Sequence, residues 1–193
     1  RSSAASDVYK RQMLDATNLP IALENTRLRL LSELDADAYA AGTKDEAVRR
    51  FAHLPEPDYT PESVRRMICD EVATGLSSGT LAVLALADAE TDRFVGSVVL
   101  FDVCSEAAEV GFWIHPGARG EGHAHRGLEL ASRFARNSGL RTLTARTLPK
   151  NKASQHCLTT AGFRETGRGV GTTPAGQREE LFHYQRDLVT AAQ

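Results

Sequence analysis

The sequence predicts a single α+β domain in three layers, with a mixed, mostly antiparallel central sheet flanked by helices. Three observations carry this prediction. Residues 80–87, 94–103 and 109–114 are apolar, strand-like runs joined by short turns, which is the pattern of an antiparallel meander. A strand, a glycine loop, a helix and another strand then follow in order between residues 109 and 148. That order implies one parallel, right-handed crossover. Finally, residues 163–168 and 179–188 read as two closing strands around a glycine-rich hairpin, 167–176.

Length and composition allow such a fold. A chain of 193 residues with 41% hydrophobic and 25% charged residues has the makings of one domain with a real core. A formal net charge of −2 offers no basic excess for nucleic acid or for a membrane surface. No apolar run is long enough to span a bilayer. The three cysteines, Cys69, Cys104 and Cys157, lack metal spacing and read as reduced thiols of a cytoplasmic protein. Residues 1–12 show neither apolar periodicity nor a signal-peptide core, and read as a non-native or disordered tail. The single domain is therefore expected over 13–193, as a monomer or a homodimer.

Each element has a local cause. Leu28 and Leu30 alternate with Arg27 and Arg29, predicting a first strand over 26–31. Asp35 or Asp37 is placed to cap a short helix carrying Tyr39 and Ala40, and 43–51 continues helically through Val48 and Phe51. Three prolines make 53–61 a loop. Thr60-Pro61-Glu62-Ser63 is a helix start, with a capping hydroxyl and proline in the first turn. Val64, Met67, Ile68 and Val72 form its apolar stripe, and 75–79 ends it. Gly111 marks a candidate bulge in the central strand. Leu128, Ala131, Phe134 and Ala135 recur at helical spacing after the glycine loop. Residues 141–148 form a strand and 151–161 a helix, which Gly162 stops.

The stretch that organises the chain runs from 109 to 163. Val110, Phe112 and Ile114 share one strand face, His115-Pro116-Gly117 breaks the strand, and Arg119-Gly120-Glu121-Gly122-His123-Ala124 leads into the helix. The first N–H groups of a helix lack internal partners and sit at the positive end of its dipole, so such a loop suits a phosphorylated ligand. Glycines let backbone approach a phosphate closely. The loop matches neither the dinucleotide nor the nucleoside-triphosphate glycine motif. It does resemble the pyrophosphate loop of the GNAT acyltransferases, Gln/Arg-x-x-Gly-x-Gly/Ala after a central strand, through Arg119, Gly122 and Ala124. A second block, Asn151-Lys-Ala-Ser154 with Gly162-Phe163, is similar to the Asn-x-x-Ser…Gly-Phe segment of the RimJ/RimL branch, which is related to ribosomal-protein N-terminal acetyltransferases and also serves small amines. With Thr26-Arg-Leu-Arg-Leu, the resemblance spans residues 23–188.

This resemblance implies acetyl-CoA as cosubstrate and a mixed, GNAT-like sheet. It implies a pyrophosphate seat at Arg119, Gly120, Gly122, His123, Ala124 and His125, with the two histidines acting through backbone N–H groups. Trp113 and Ile114 would pair with the pantetheine arm through the backbone of a strand that splays there, and Asn151 would contact the same arm. Arg126, Lys150 and Lys152 are further basic residues for the 3′-phosphate, none of them singled out. Glu109, a carboxylate amid an apolar strand, is either the general base, acting through water, or an ion-paired or exposed strand residue. Ser154 is a candidate to hydrogen-bond the departing thiolate, or only a first-turn residue. Many members carry a tyrosine four residues later as general acid; here Leu158 stands in that place, and Tyr184 is a weak substitute. The histidines, scattered over different elements, predict no metal site.

The function expected from these residues is acetyl transfer to a primary amine, a protein or peptide N-terminus, by direct attack in a ternary complex. The alternatives are a small-molecule amine or antibiotic acetyltransferase and, in another class, a non-catalytic acyl-CoA-binding sensor.

Overall fold

A computed structural model describes residues 14–52, 54–173 and 175–188. The expected tail, 1–12, lies outside the described residues. Eight strands form one sheet in the order β1-β2-β3-β4-β5-β6-β8-β7. They are β1 Ile21–Leu23, β2 Thr26–Leu30, β3 Ala82–Asp88, β4 Phe94–Phe101, β5 Ala107–Ile114, β6 Thr142–Thr147, β7 Arg164–Thr172 and β8 Arg178–Asp187. Among these, only β5 and β6 pair in parallel. The mostly antiparallel sheet, its meander and its single crossover are as the sequence predicts.

Helices cover both faces. On one face lie α1 Ala36–Gly42, α2 Glu46–Phe51 and α3 Pro61–Met67, which passes through a π turn, Ile68–Val72, into α4 Ala73–Ser78. On the other lie α5 His123–Asn137 and α6 Lys152–Thr160. Alternation along β5 divides its side chains between two cores. Ala108, Val110, Phe112 and Ile114 pack into the core with Leu128, Ala131 and Phe134 of α5. Trp113 points the opposite way, into a second core with Tyr39, Val48, Tyr59 and Val64.

Several expectations need correction. The helix expected to run on over 43–51 is broken, because Asp45 caps a new helix by accepting from the N–H of Val48. The start of α1 is preceded by a 3-10 turn, in which Asp35 accepts from the N–H and hydroxyl of Ser32 and is gripped by Arg29 at 2.7 Å. The predicted capping of α3 holds: Thr60 and Ser63 bond reciprocally. The helical run ends inside the expected 75–79 segment: Gly75 is still within α4, and Gly79, at φ 71°, is the stop. Gly111 sits in regular register opposite Val99, so the expected bulge is absent there; irregularities fall at Leu86/Ala87 and Glu165/Gly167 instead. Most of the glycine-rich hairpin is strand, since Gly167, Gly169 and Gly171 all belong to β7.

Gly42 is where α1 meets the sheet. A Cβ there would lie 2.6 Å from the indole of Trp113 and 2.9 Å from the ring of His115. Tyr39 meets the same indole edge-on, with ring centroids 5.1 Å apart. Overpacking of this kind costs about 1–3 kcal/mol. Gly42→Ala should therefore lower stability by about that much in urea unfolding with an unchanged m-value, and a neutral substitution would show that α1 is not held against Trp113.

Candidate active site

The parallel pairing of β5 with β6 lasts three residues: Ala107↔Thr142, Ala108↔Leu143 and Glu109↔Thr144. Both strands continue, to Ile114 and Thr147, but they part. On its side away from β4, β5 thus presents backbone N–H and C=O groups without a strand partner among the described residues. Buried backbone polar groups require partners, and an open strand edge can pair with an extended chain.

A cavity of about 590 Å³ runs through the parting and is lined from both faces of the sheet. Glu109, Gly111 and Trp113 of β5 line it, as do Ala145 and Arg146 of β6 and Asn151, Ser154 and Leu158 at the start of α6. Val83, Val99 and Phe101 supply an apolar floor, and Tyr59 of the loop before α3, Met67 of α3 and Glu71 of the π turn lie above it. The cavity therefore joins four residues singled out in the sequence: Glu109, Trp113, Asn151 and Ser154. Ile114, Arg119, Gly120, Gly122, His123, Ala124 and His125 do not line it. Ile114 ends β5, Arg119, Gly120 and Gly122 lie in the connection that follows, and His123, Ala124 and His125 are the first residues of α5.

Glu109 is ion-paired. Nε of Arg146 lies 2.9 Å from each of its carboxylate oxygens, and the two side chains are only 13% and 24% exposed. The same guanidinium donates to the carbonyl of Thr172 at 3.0 Å and approaches Asp102 at 3.9 Å. Burial is the largest influence on Glu109 and pushes its pKa up, while the bonds from Arg146 oppose it; the direction that remains is upward. Arg146 is the cavity-lining partner of Glu109 that sequence reasoning did not single out. Its signal was an arginine on the polar face of a strand whose other face, Leu143, Ala145 and Thr147, is buried.

The other candidates divide by what their side chains touch. Asn151 caps α6, its Oδ1 accepting from the N–H of Ser154 at 3.1 Å. Among the described residues Ser154 Oγ makes no hydrogen bond, although it faces the cavity. Leu158, where a tyrosine was expected, is buried against the cavity. Tyr184 is buried in the core beneath α5 and does not line it.

In the loop, Gly120 and Gly122 adopt φ of +83° and +82°, and Gly122 precedes α5 as its cap residue. A Cβ at Gly122 would collide with the guanidinium of Arg126, which is tied to Glu24 and to the carbonyl of Glu121. His123 is buried; its Nδ1 lies 2.8 Å from Thr26 Oγ1, fixing the start of α5 to β2. Arg119 bonds Asp45 at 2.6 Å, which depresses the aspartate's pKa. That pair is partly exposed, so it is worth about 0.2–1 kcal/mol and is readily exchanged for another anion. Among the described residues no three His, Cys, Asp or Glu side chains gather as a metal group.

His115 ends β5, and its Nδ1 accepts from the N–H of Gly117 at 3.2 Å. Burial, followed by the charges of Arg93 and Arg119, lowers its pKa below the ordinary 6.5. The unfolded chain then takes up this proton before the folded one does. Stability should fall as pH drops below the unfolded value, with the loss complete once pH passes the folded one. A histidine NMR titration should place His115 below the ordinary value, and a titration at or above it would remove this contribution.

Residues 25–164 match the family model described as an acetyltransferase (GNAT) domain. No curated protein sequence matches the chain significantly. Solved structures do. Ribosomal-protein-S5-alanine acetyltransferase from Vibrio fischeri superposes with a TM-score of 0.73 at 16% identity, covering 88% of this chain and 96% of that one. Mycobacterium smegmatis RimJ in complex with CoA-disulfide gives 0.71 at 19% identity, covering 84% and 81%. Spermidine N-acetyltransferase from Vibrio cholerae, in complex with CoA and spermine, gives 0.72 at 16% identity, covering 86% and 97%. At these identities the likeness is one of fold.

Proposed function

The chain belongs to the GNAT acetyltransferase family and is an N-acetyltransferase, and from that premise we propose that it moves an acetyl group from acetyl-CoA directly to the N-terminal amine of a protein or peptide in a ternary complex. The single observation that carries the proposal is the parting of β5 and β6, with a carboxylate at its apex and a hydroxyl, Ser154, across the same cavity. The residues present fit the cosubstrate. The glycine turn before α5 offers N–H donors and a helix N-terminus to the pyrophosphate. The free edge of β5 from Gly111 to Ile114 pairs with the amides of the pantetheine arm, and the side-chain amide of Asn151 lies on the other bank.

The thioester supplies an activated acetyl group. An ammonium acceptor must first lose a proton, which Glu109 accepts directly or through a water. The freed nitrogen lone pair forms the new C–N bond as the C–S bond breaks. A backbone N–H of the splayed strand faces the carbonyl oxygen as charge develops there, and Ser154 hydrogen-bonds the departing sulfur, which leaves as a thiol. The proton balance closes with release of one proton to solvent. With Leu158 in place of a tyrosine, Ser154 or water takes over assistance to the leaving group.

A second acceptor class has one observation in its favour. Glu56, Asp70 and Glu71 line the helical side of the cavity against a single arginine there, Arg66, which favours an acceptor with more than one positive charge. Fold neighbours of both acceptor types occur.

Acetyl-CoA at a hundred times its Kd should raise the melting temperature by about 5–10 °C. Gly122→Val, which forces a β-branched side chain into a left-handed backbone, should abolish most of that shift. Glu109→Gln should cut turnover about 10²-fold or more with acetyl-CoA affinity nearly intact. Comparing alanine- and serine-initiated peptides with diamines as acceptors assigns the substrate. A cooperatively folding protein that shows no shift with acetyl-CoA would refute the cosubstrate seat.

A further inference from the structure

The base assigned above is bound to an arginine, an arrangement that ordinarily quenches a base. Its geometry indicates a different outcome. Arg146 uses one nitrogen, Nε, for both Glu109 oxygens at 2.9 Å, rather than the two-pronged fork that would occupy the carboxylate edge to edge. Its remaining nitrogens go elsewhere, Nη1 to the Thr172 carbonyl and Nη2 toward Asp102. One guanidinium thus spans the parting, joining β5 to the turn before it and to the end of β7. Each carboxylate oxygen keeps a further lone pair beyond the one that accepts from Nε, and the side chain lines the cavity.

We propose that Arg146 is the positioning residue for proton removal: it fixes the Glu109 carboxylate across the opening of the sheet and holds it negatively charged at neutral pH. The inference rests on Glu109 acting as the base. Without a cation, burial pushes this carboxylate's pKa further up and so favours its neutral form, which has no capacity to accept a proton. The charges around Glu109 leave Arg146 as its direct partner. Asp102, from the β4–β5 turn, opposes ionisation, and His183 of β8 favours it when protonated. Arg66, Asp70 and Glu71 face it across the cavity from α3 and the π turn. The acceptor's proton passes to Glu109 and then to solvent, so no other reactant is required.

The test is the pH profile of kcat/KM for the acceptor in wild type, Arg146→Met and Arg146→Lys, with Glu109→Gln as reference. Arg146→Met should be about tenfold or more slower than wild type near pH 6.5, with the deficit closing toward pH 9 as the unaided carboxylate ionises. Arg146→Lys, which keeps the charge but loses the Nε contact and the bond to the Thr172 carbonyl, should fall between them and also covers the case in which the methionine variant does not fold. Binding of acetyl-CoA should be unchanged in all. A purely structural arginine would give a deficit independent of pH, and that result, or no deficit, would overturn the inference while leaving Glu109→Gln inactive. Wild-type turnover in Glu109→Gln would instead overturn the base assignment and the inference with it.

Discussion

Three rungs of parallel pairing between β5 and β6, followed by separation, set the conditions for everything else in the molecule. Continued pairing would have closed the sheet and buried its backbone groups against each other. Separation instead leaves one strand edge facing a cavity, where polar groups must find partners. The chain keeps the two banks apart with side chains of unlike kind. Arg146 ties them at the apex, Asn151 starts α6 on one bank, and the Trp113 indole anchors the other to α1. The turn that leaves β5 is fixed from behind, where buried His123 meets Thr26 of β2. The proposed phosphate seat and the proposed base therefore stand on one continuous strand and its immediate extension.

Burial decides which ion pairs matter. Arg119 and Asp45 meet near solvent, so their attraction is modest and the arginine can turn to a phosphate at little cost. Arg146 and Glu109 meet where water is scarce. There, loss of one partner leaves a charge that the surroundings do not solvate. The helical side of the cavity carries an acidic excess of a third kind, held by solvated side chains on the π turn and on the loop before α3. That excess acts on an approaching cation over a distance, whereas the pair at the apex acts only on the group that reaches it.

Much of this was legible along the chain. The strand, glycine turn and helix from 109 to 137 followed from alternation giving way to helical spacing across two glycines, and the α3 cap from Thr60 and Ser63 alone. Local chemistry settles such features. What stayed hidden depends on partners far apart in sequence. Glu109 and Arg146 are 37 residues apart, and Arg119 and Asp45 are 74. Nothing in either segment indicates that strand register will bring them together. The same holds for Asn151, which the sequence places at the start of a helix but whose position on the cavity wall depends on the parting. The glycines of β7 misled because their usual turn preference is overridden by ten-residue β8, which supplies a partner ladder along the whole run.

The alternation of β5 has a consequence for how chains of this kind can vary in length. Glu109 and Trp113 lie on one face and Val110 and Phe112 on the other, because successive strand residues point to opposite sides. Inserting or deleting a single residue between Ala107 and Ile114 would exchange the faces beyond it. The indole would be thrust into the core beneath α5, and aliphatic groups would replace it on the cavity wall. The turn at Asp88–Arg93 and the proline loop before α3 impose no such parity. Length differences among homologous chains should accordingly gather in those loops, and this eight-residue strand should pass through them uncut.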